Sequence, residues 1–315
     1  MKLASTALLS VTIALASCAT PQAQTGRAPE IALTFDDLPL HGLIPAGETP
    51  ETVGNGIIGA LTRAHVPAYG FVNAHWVVDK PGTIAVLKAW RSAGLPLGNH
   101  TWSHRHLNEM TIPEFEQEVA RDEPVLQQLS GGTDWHWLRY PFLDEGKNPA
   151  QRAAARQVLA ARGYKIADVT MDFGDWQWTA PYARCRAAHD DASVAELEHM
   201  YLAAAQEAIG FYRGLSHQLY GRDIPYVVLL HESAFEARMV PQLIDLYRST
   251  GFRFVSLPKA ESDPFYKDRV HPIDAAVPEG LEGHALAQGM KLPARTDYGA
   301  RLAAICPAGP TATKP

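Results

Sequence analysis

Short apolar strand-like runs alternate with helix-like stretches along most of this chain, and that alternation limits what it can fold into. The strand-like runs are residues 30–35, 67–72, 95–98, 135–140, 164–170, 226–230 and 252–256. Between them lie helix-like stretches at 51–65, 84–93, 113–129, 150–161, 194–212 and 237–250. Strand–helix–strand order gives a mostly parallel sheet with right-handed crossovers. The sequence also marks helix boundaries. Thr111 precedes Pro113 at one start, and Gly163 and Gly251 lie just past two ends, where left-handed backbone favours glycine. Seven strand units point to a barrel rather than an open sheet, and 315 residues suffice for one barrel with extensions.

Two regions break the rhythm. Residues 176–223 form a long insertion with a helix inside, and the stretch after 257 is rich in Pro and Gly and reads as an irregular extension. Hydrophobic residues at 46% and charged residues at 20% supply a full core, which excludes global disorder, a collagen-like fibre and a polytopic membrane protein. A net charge of −6 with scattered Lys and Arg argues against a nucleic-acid partner. Residues 1–18 pair Lys2 with an apolar run from Ala7 to Leu15 and read as a signal peptide. The ending Leu15-Ala16-Ser17-Cys18 resembles the bacterial lipoprotein lipobox, which implies lipidation of Cys18, with 19–29 as a tether. The alternative is a plain secretory signal. The chain is thus expected on the periplasmic side of a bacterial membrane, touching it only through a lipid anchor, or else free in the periplasm or secreted. Three cysteines exclude a disulfide scaffold and a Cys-based zinc ribbon. The sequence leaves open whether Cys185 and Cys306 pair as a disulfide or stand as separate thiols.

Five motifs carry ionisable residues, and each falls at the end of a predicted strand. Thr34-Phe35-Asp36-Asp37 places two carboxylates side by side. Their repulsion calls for a cation or a shared proton, unless the pair is only an exposed acidic turn. His100 and His104 are spaced i, i+4, as on one face of a helical turn, so both imidazoles would reach one ion; two solvated histidines are the other reading. Two imidazoles and one carboxylate leave coordination positions open, as a catalytic rather than a structural zinc site does. Leu138-Arg139-Tyr140-Pro141-Phe142 offers an arginine to pair with a carboxylate. Asp172-Phe173-Gly174-Asp175-Trp176 and the apolar run closing on His231 complete the set, although His231 taken alone reads as a core histidine. In a parallel barrel the strand C-termini meet on one face, and that face carries the active site.

In order and spacing, these motifs resemble those of the polysaccharide deacetylases, the NodB-homology group of carbohydrate esterase family 4, over about residues 30–257. The resemblance implies an α/β fold, a distorted (β/α)7 barrel, here with an insertion at about 177–223 after the fifth strand and an irregular extension at 258–315. It implies Asp36 as general base, His231 as general acid, Arg139 as the group orienting the base and Asp175 as the carboxylate holding the acid. Asp37, His100 and His104 match ligands of a divalent metal, for which zinc is the first choice and cobalt or nickel the alternatives. Tyr140 matches a position whose backbone N–H binds the oxyanion. Trp176 and Leu230 match walls around the acetyl group. The implied reaction removes acetyl groups from N-acetylated sugars of a glycan.

The chain also departs from the family pattern. Leu38-Pro39-Leu40-His41 stands where Gly-Pro is usual, and His41 is expected to be a loop residue near the site. Phe142 stands where Tyr is common, His106 reads as a residue exposed or behind the ligands, and Glu232 as a cap of the next helix. The insertion is expected to wall one side of the substrate groove. The alternatives are an O-acetyl esterase on an acetylated glycan, a small-amide hydrolase, and a non-catalytic glycan-binding lipoprotein.

Overall fold

The computed structural model describes residues 28–271 and 278–307. The signal segment, Cys18 and nearly all of the tether lie outside the described residues. Seven strands form one sheet: β1 (Glu30–Leu38), β2 (Ala68–Val72), β3 (Leu97–Asn99), β4 (Trp137–Leu138), β5 (Lys165–Ile166), β6 (Tyr226–His231) and β7 (Arg253–Phe254). Every pairing is parallel. The path runs β5-β4-β3-β2-β1-β6, with β7 on the start of β1. Just past β5, Met171 bridges Val228 of β6, so the two ends of the path touch and the sheet curls into a distorted barrel. Strand β1, between β2 and β6, has all nine residues buried, as expected of a strand covered on both faces.

Helices α1 (Pro50–Ala64), α2 (Ala74–Asp79), α3 (Ile84–Ser92), α4 (Ile112–Leu129) and α5 (Pro149–Ala161) connect the first five strands. Their ends follow local chemistry. Thr49 and Thr111 cap α1 and α4 in capping boxes with Thr52 and Glu114, and Gly163 takes a φ of 75° just beyond α5. The insertion is α6 (Thr179–Ala187) followed by α7 (Asp191–Tyr220), a 30-residue helix. Helix α8 (Ala234–Ser249) follows β6.

Alternation along the strands divides the core in two. Outward-facing Ile31, Leu33 and Phe35 of β1 join a large cluster with the helices. Inward-facing Ala32, Tyr69, Phe71, Trp137 and Val227 form a second cluster inside the barrel. That interior is plugged by the C-terminal stretch, through Leu257 and Ala260 of α9 (Leu257–Ala260), Tyr266, and Val270 of α10 (Lys267–Val270). The stretch expected to be irregular thus winds into short helices, two more of which are α11 (Gly280–Ala287) and α12 (Gly299–Ala304). Among the described residues no helix is long and apolar enough to cross a membrane.

Several strands are shorter than their apolar runs. Past Ile166 the ladder breaks because side chains take its backbone groups. Arg139 holds the carbonyls of Ala167 and Asp168, Glu261 accepts from the N–H of Asp168, and Thr170 Oγ1 accepts from Val227 N–H. Cys185 of α6 and Cys306 are joined in a disulfide with a Cα–Cα distance of 5.1 Å. Beside it, Arg184 donates to the carbonyls of Leu302, Ile305 and Cys306 at 2.8–3.1 Å. The pair closes a loop with a sequence separation of 121. Replacing both cysteines by serine is expected to lower stability by about 2–4 kcal/mol. Urea unfolding without reductant measures this, and an unchanged midpoint would mean that packing and Arg184 alone secure the tail.

Candidate active site

The site grows out of period-two alternation on β1 and β6. On β1 the side chains of Ala32, Thr34 and Asp36 point inward, and Asp36 lies in register with His231 at the end of β6. Strict alternation would turn Asp37 away. Instead Asp37 adopts a left-handed φ of 62°, and the β1–β2 register shifts between Phe35 and Leu38. A non-glycine residue rarely adopts that conformation. Its effect is to bring two consecutive carboxylates to one pocket.

That pocket, about 290 Å³, is lined by Asp36, Asp37, His41, His100, His104, Phe142, Leu143, Asp172, Trp176, Leu229 and His231. The expected acid, base and ligand residues, at the ends of β1, β3 and β6, therefore meet there. His100 and His104 converge without the expected helical turn. Residues 100–104 form a loop in which Thr101 and His104 take φ values of 63° and 54°. Buried amides hold it in place of helical bonds. Asn73 donates to the carbonyls of His100 and Thr101 at 2.6 and 2.9 Å, and Asn99 Oδ1 accepts from Thr101 N–H at 2.7 Å.

Asp37, His100 and His104 each place a ligand atom within 4.8 Å of the others. Asp37 Oδ1 is buried without a hydrogen-bond partner and lies 3.2 Å from His104 Nε2 and 3.5 Å from His100 Nε2. The Nδ1 of His100 bonds to the carbonyl of Arg139 at 2.8 Å, which leaves Nε2 to face the carboxylate. Burial lowers the pKa of both histidines to about 4, so each is neutral with a lone pair at pH 7. Burial also pushes Asp37 up, but a hydrogen bond from His41 and the surrounding imidazoles outweigh it and hold the carboxyl well below its usual range. An orphaned carboxylate oxygen between two neutral imidazoles fits a divalent cation.

Asp36 is gripped by Arg139, whose Nη1 lies 3.2 and 3.3 Å from its two oxygens. The rest of the guanidinium is also engaged. Nε donates to the Ala167 carbonyl, and Nη2 to Thr34 Oγ1 and the Asp168 carbonyl, while Phe71 packs under it with its ring centroid 4.8 Å away. Burial nonetheless wins over the arginine and raises Asp36 to about 6. His231 behaves in the opposite way. Burial disfavours its charge, but Asp175, at 2.9 Å from Nδ1, prevails and lifts it to about 10. Asp175 also accepts from the His231 backbone N–H at 2.8 Å. The result is a carboxylate and an imidazolium on neighbouring strands.

Phe142 and Trp176, 56% and 51% exposed, stand at the pocket's rim. Phe142 stacks on His106 at 3.7 Å and meets His104 edge-on at 4.4 Å, so His106 props the wall from behind. Leu230 does not line the pocket. It faces outward into the helix-side core, and period-two alternation puts Leu229 beside His231 instead. The side chain of Tyr140 is buried against Phe115, so only its backbone remains for the site. Glu232 is no helix cap. It is fully buried beside Trp90 Nε1 at 3.3 Å, burial raises it to about 8, and Ser233 caps α8. His41 proves to be part of the site, with Nδ1 2.6 Å from Asp37 Oδ2. Its i+4 spacing from Asp37 was the available signal.

A family model described as "Polysaccharide deacetylase" matches residues 23–167. The chain is 23% identical over 246 residues to a chitin deacetylase of Colletotrichum lindemuthianum, covering 78% of this chain and 84% of that protein. It is 25% identical over 148 residues to a peptidoglycan-N-acetylglucosamine deacetylase of Bacillus cereus, covering 47% and 46% of the two. In fold it resembles a CE4 family pseudoenzyme from Bacillus anthracis, with a TM-score of 0.52 at 14% identity over 74% of this chain and 65% of that one. Over residues 23–167 the chain is similar to the polysaccharide deacetylase family.

Proposed function

We propose that this protein is a metal-dependent hydrolase that removes acetyl groups from the N-acetylated sugars of a polysaccharide. The observation that carries this reading is the opposition of Asp36, held by Arg139, to His231, held by Asp175, beside the Asp37–His100–His104 cluster. Asp37, His100 and His104 would hold the cation, zinc before cobalt or nickel, which when bound supplies Lewis-acid polarisation of the acetyl carbonyl and acidifies the attacking water.

The chain's own groups handle the protons. Ionised Asp36 accepts a proton from the water as its oxygen attacks the acetyl carbon. The Tyr140 backbone N–H donates to the oxygen on which negative charge develops. The C–N bond then breaks as His231 passes its proton to the departing nitrogen, so the sugar leaves as a neutral amine rather than an amine anion. The products are acetate and a free amino sugar. Asp175 keeps the imidazole charged and oriented until that transfer. Phe142 and Trp176 flank the acetyl group.

Acetate release from N-acetylglucosamine oligomers tests the reading. Zinc-reloaded protein is expected to release acetate, and chelated protein and the Asp36→Ala variant to fall by at least roughly a hundredfold, the lower range for a general base. Zinc bound at one equivalent with no release would overturn it.

The pH profile follows from the two shifted groups. Asp36 must be ionised and His231 protonated, so kcat/KM is expected to be bell-shaped. Its acid limb lies at or below about 6 and its basic limb below about 10, because a bound dication lowers both values. Asp175→Asn removes the charge that raises His231, so the basic limb is expected to move down and the acid limb to stay. A basic limb unmoved by that change would contradict the role of His231.

A further inference from the structure

Beside the catalytic pocket is a second cavity, about 310 Å³, with which it shares the lining residues Asp172 and Trp176. This cavity is built by segments outside the barrel strands. It is lined by Gln177, just before α6, by Glu207 of α7, and by residues 295–298. That last segment is firmly attached. Arg295 donates to the Asp172 carbonyl at 2.6 Å and lies over the rings of Phe211 and Tyr212. Thr296 donates its N–H and hydroxyl to Glu207 at 2.9 and 3.2 Å. The disulfide at Cys306 secures the same segment to α6.

We propose that this cavity is a subsite for the sugar next to the one being deacetylated, a neutral pyranose ring of the same glycan chain. The inference rests on the deacetylase reading above and adds where the polymer runs. A sugar ring offers an apolar C–H face and a rim of hydroxyls. The half-exposed indole of Trp176, at the junction of the two cavities, presents a flat apolar surface to the first. Gln177 serves the second. Its amide offers two donors and an acceptor, and it makes no hydrogen bond to any other described residue. Gly174 makes room for that amide. It takes a φ of 73°, and a Cβ there would lie 2.3 Å from Gln177 Nε2. Asp172, Glu207 and Asp297 line the cavity against the one guanidinium of Arg295, so it offers no attraction to an anionic polymer. Its volume lies at the lower end of the roughly 300–1,000 Å³ of small-ligand sites, enough for one ring.

The test is the ratio of kcat/KM for the N-acetylglucosamine pentamer to that for the monomer, in zinc-loaded protein. Wild type is expected to favour the pentamer at least tenfold. Gln177→Leu, which keeps the volume and removes the hydrogen bonds, and Asp297→Ala at the exposed wall are each expected to cut the ratio roughly threefold to tenfold. Melting temperature checks that both variants fold. An undiminished ratio in both variants overturns the subsite while leaving the deacetylase reading intact. Acetate release from no sugar by wild type means the parent reading has failed, and equilibrium binding then decides the subsite. Pentamer is titrated into wild type and Gln177→Leu while tryptophan fluorescence is followed. Weaker binding to the variant supports the subsite, and equal binding or none overturns it.

Discussion

The interaction on which the rest depends is the buried guanidinium of Arg139. Two adjacent carboxylates at the end of a buried strand repel each other and lose their hydration, and no fold tolerates both charged without compensation. Arg139 answers half of this problem by binding Asp36. The same group ties Thr34 of β1 to the carbonyls that follow β5, closing the barrel where its ladder is weakest. The other half of the problem falls to Asp37, one of whose oxygens has no partner other than the two imidazoles it faces. Charge compensation in the fold and the place for a cation are therefore one arrangement.

The site is also where the backbone is most strained. Asp37 near the end of β1, and Thr101, His104, Phe142 and Leu143 in the segments after β3 and β4, all take left-handed φ values between 54° and 63°. At about 1–2 kcal/mol each, these conformations persist only because the scaffold holds them. The scaffold is rigid where it must be: β1 is wholly buried, and the amides of Asn73 and Asn99 are locked into the histidine loop.

Much of this was legible in the sequence because the signals were local. Strand and helix runs, the Thr111 cap and Gly163 each carry their own evidence, and the five motifs sit at strand ends where a parallel barrel gathers them. The failures were those of side-chain direction and of tertiary partners. The resemblance puts Leu230 on the acetyl wall, but a strand's neighbouring residues face opposite ways, and the pocket takes Leu229 with His231. His100 and His104 share i, i+4 spacing, but their loop is held by Asn73, between β2 and α2, rather than by a helix. Glu232 read as a cap because an acidic residue before a helix usually is one, and only the packing of Trp90 against it shows a buried carboxyl.

His41 shows how a departure from a family pattern can be absorbed by the site itself. Its imidazole takes Asp37 Oδ2 at 2.6 Å, and its ring lies 4.7 Å from that of His231. Its own backbone N–H is held by the Glu232 carbonyl at 2.6 Å, so the loop after β1 is fastened to the end of β6. With Oδ2 engaged, Asp37 presents the single oxygen Oδ1 to His100 and His104. Ligand atoms of Asp37, His41 and His231 all lie within 4.8 Å of one another, so the ring also joins the ligand carboxylate to the neighbourhood of the imidazolium.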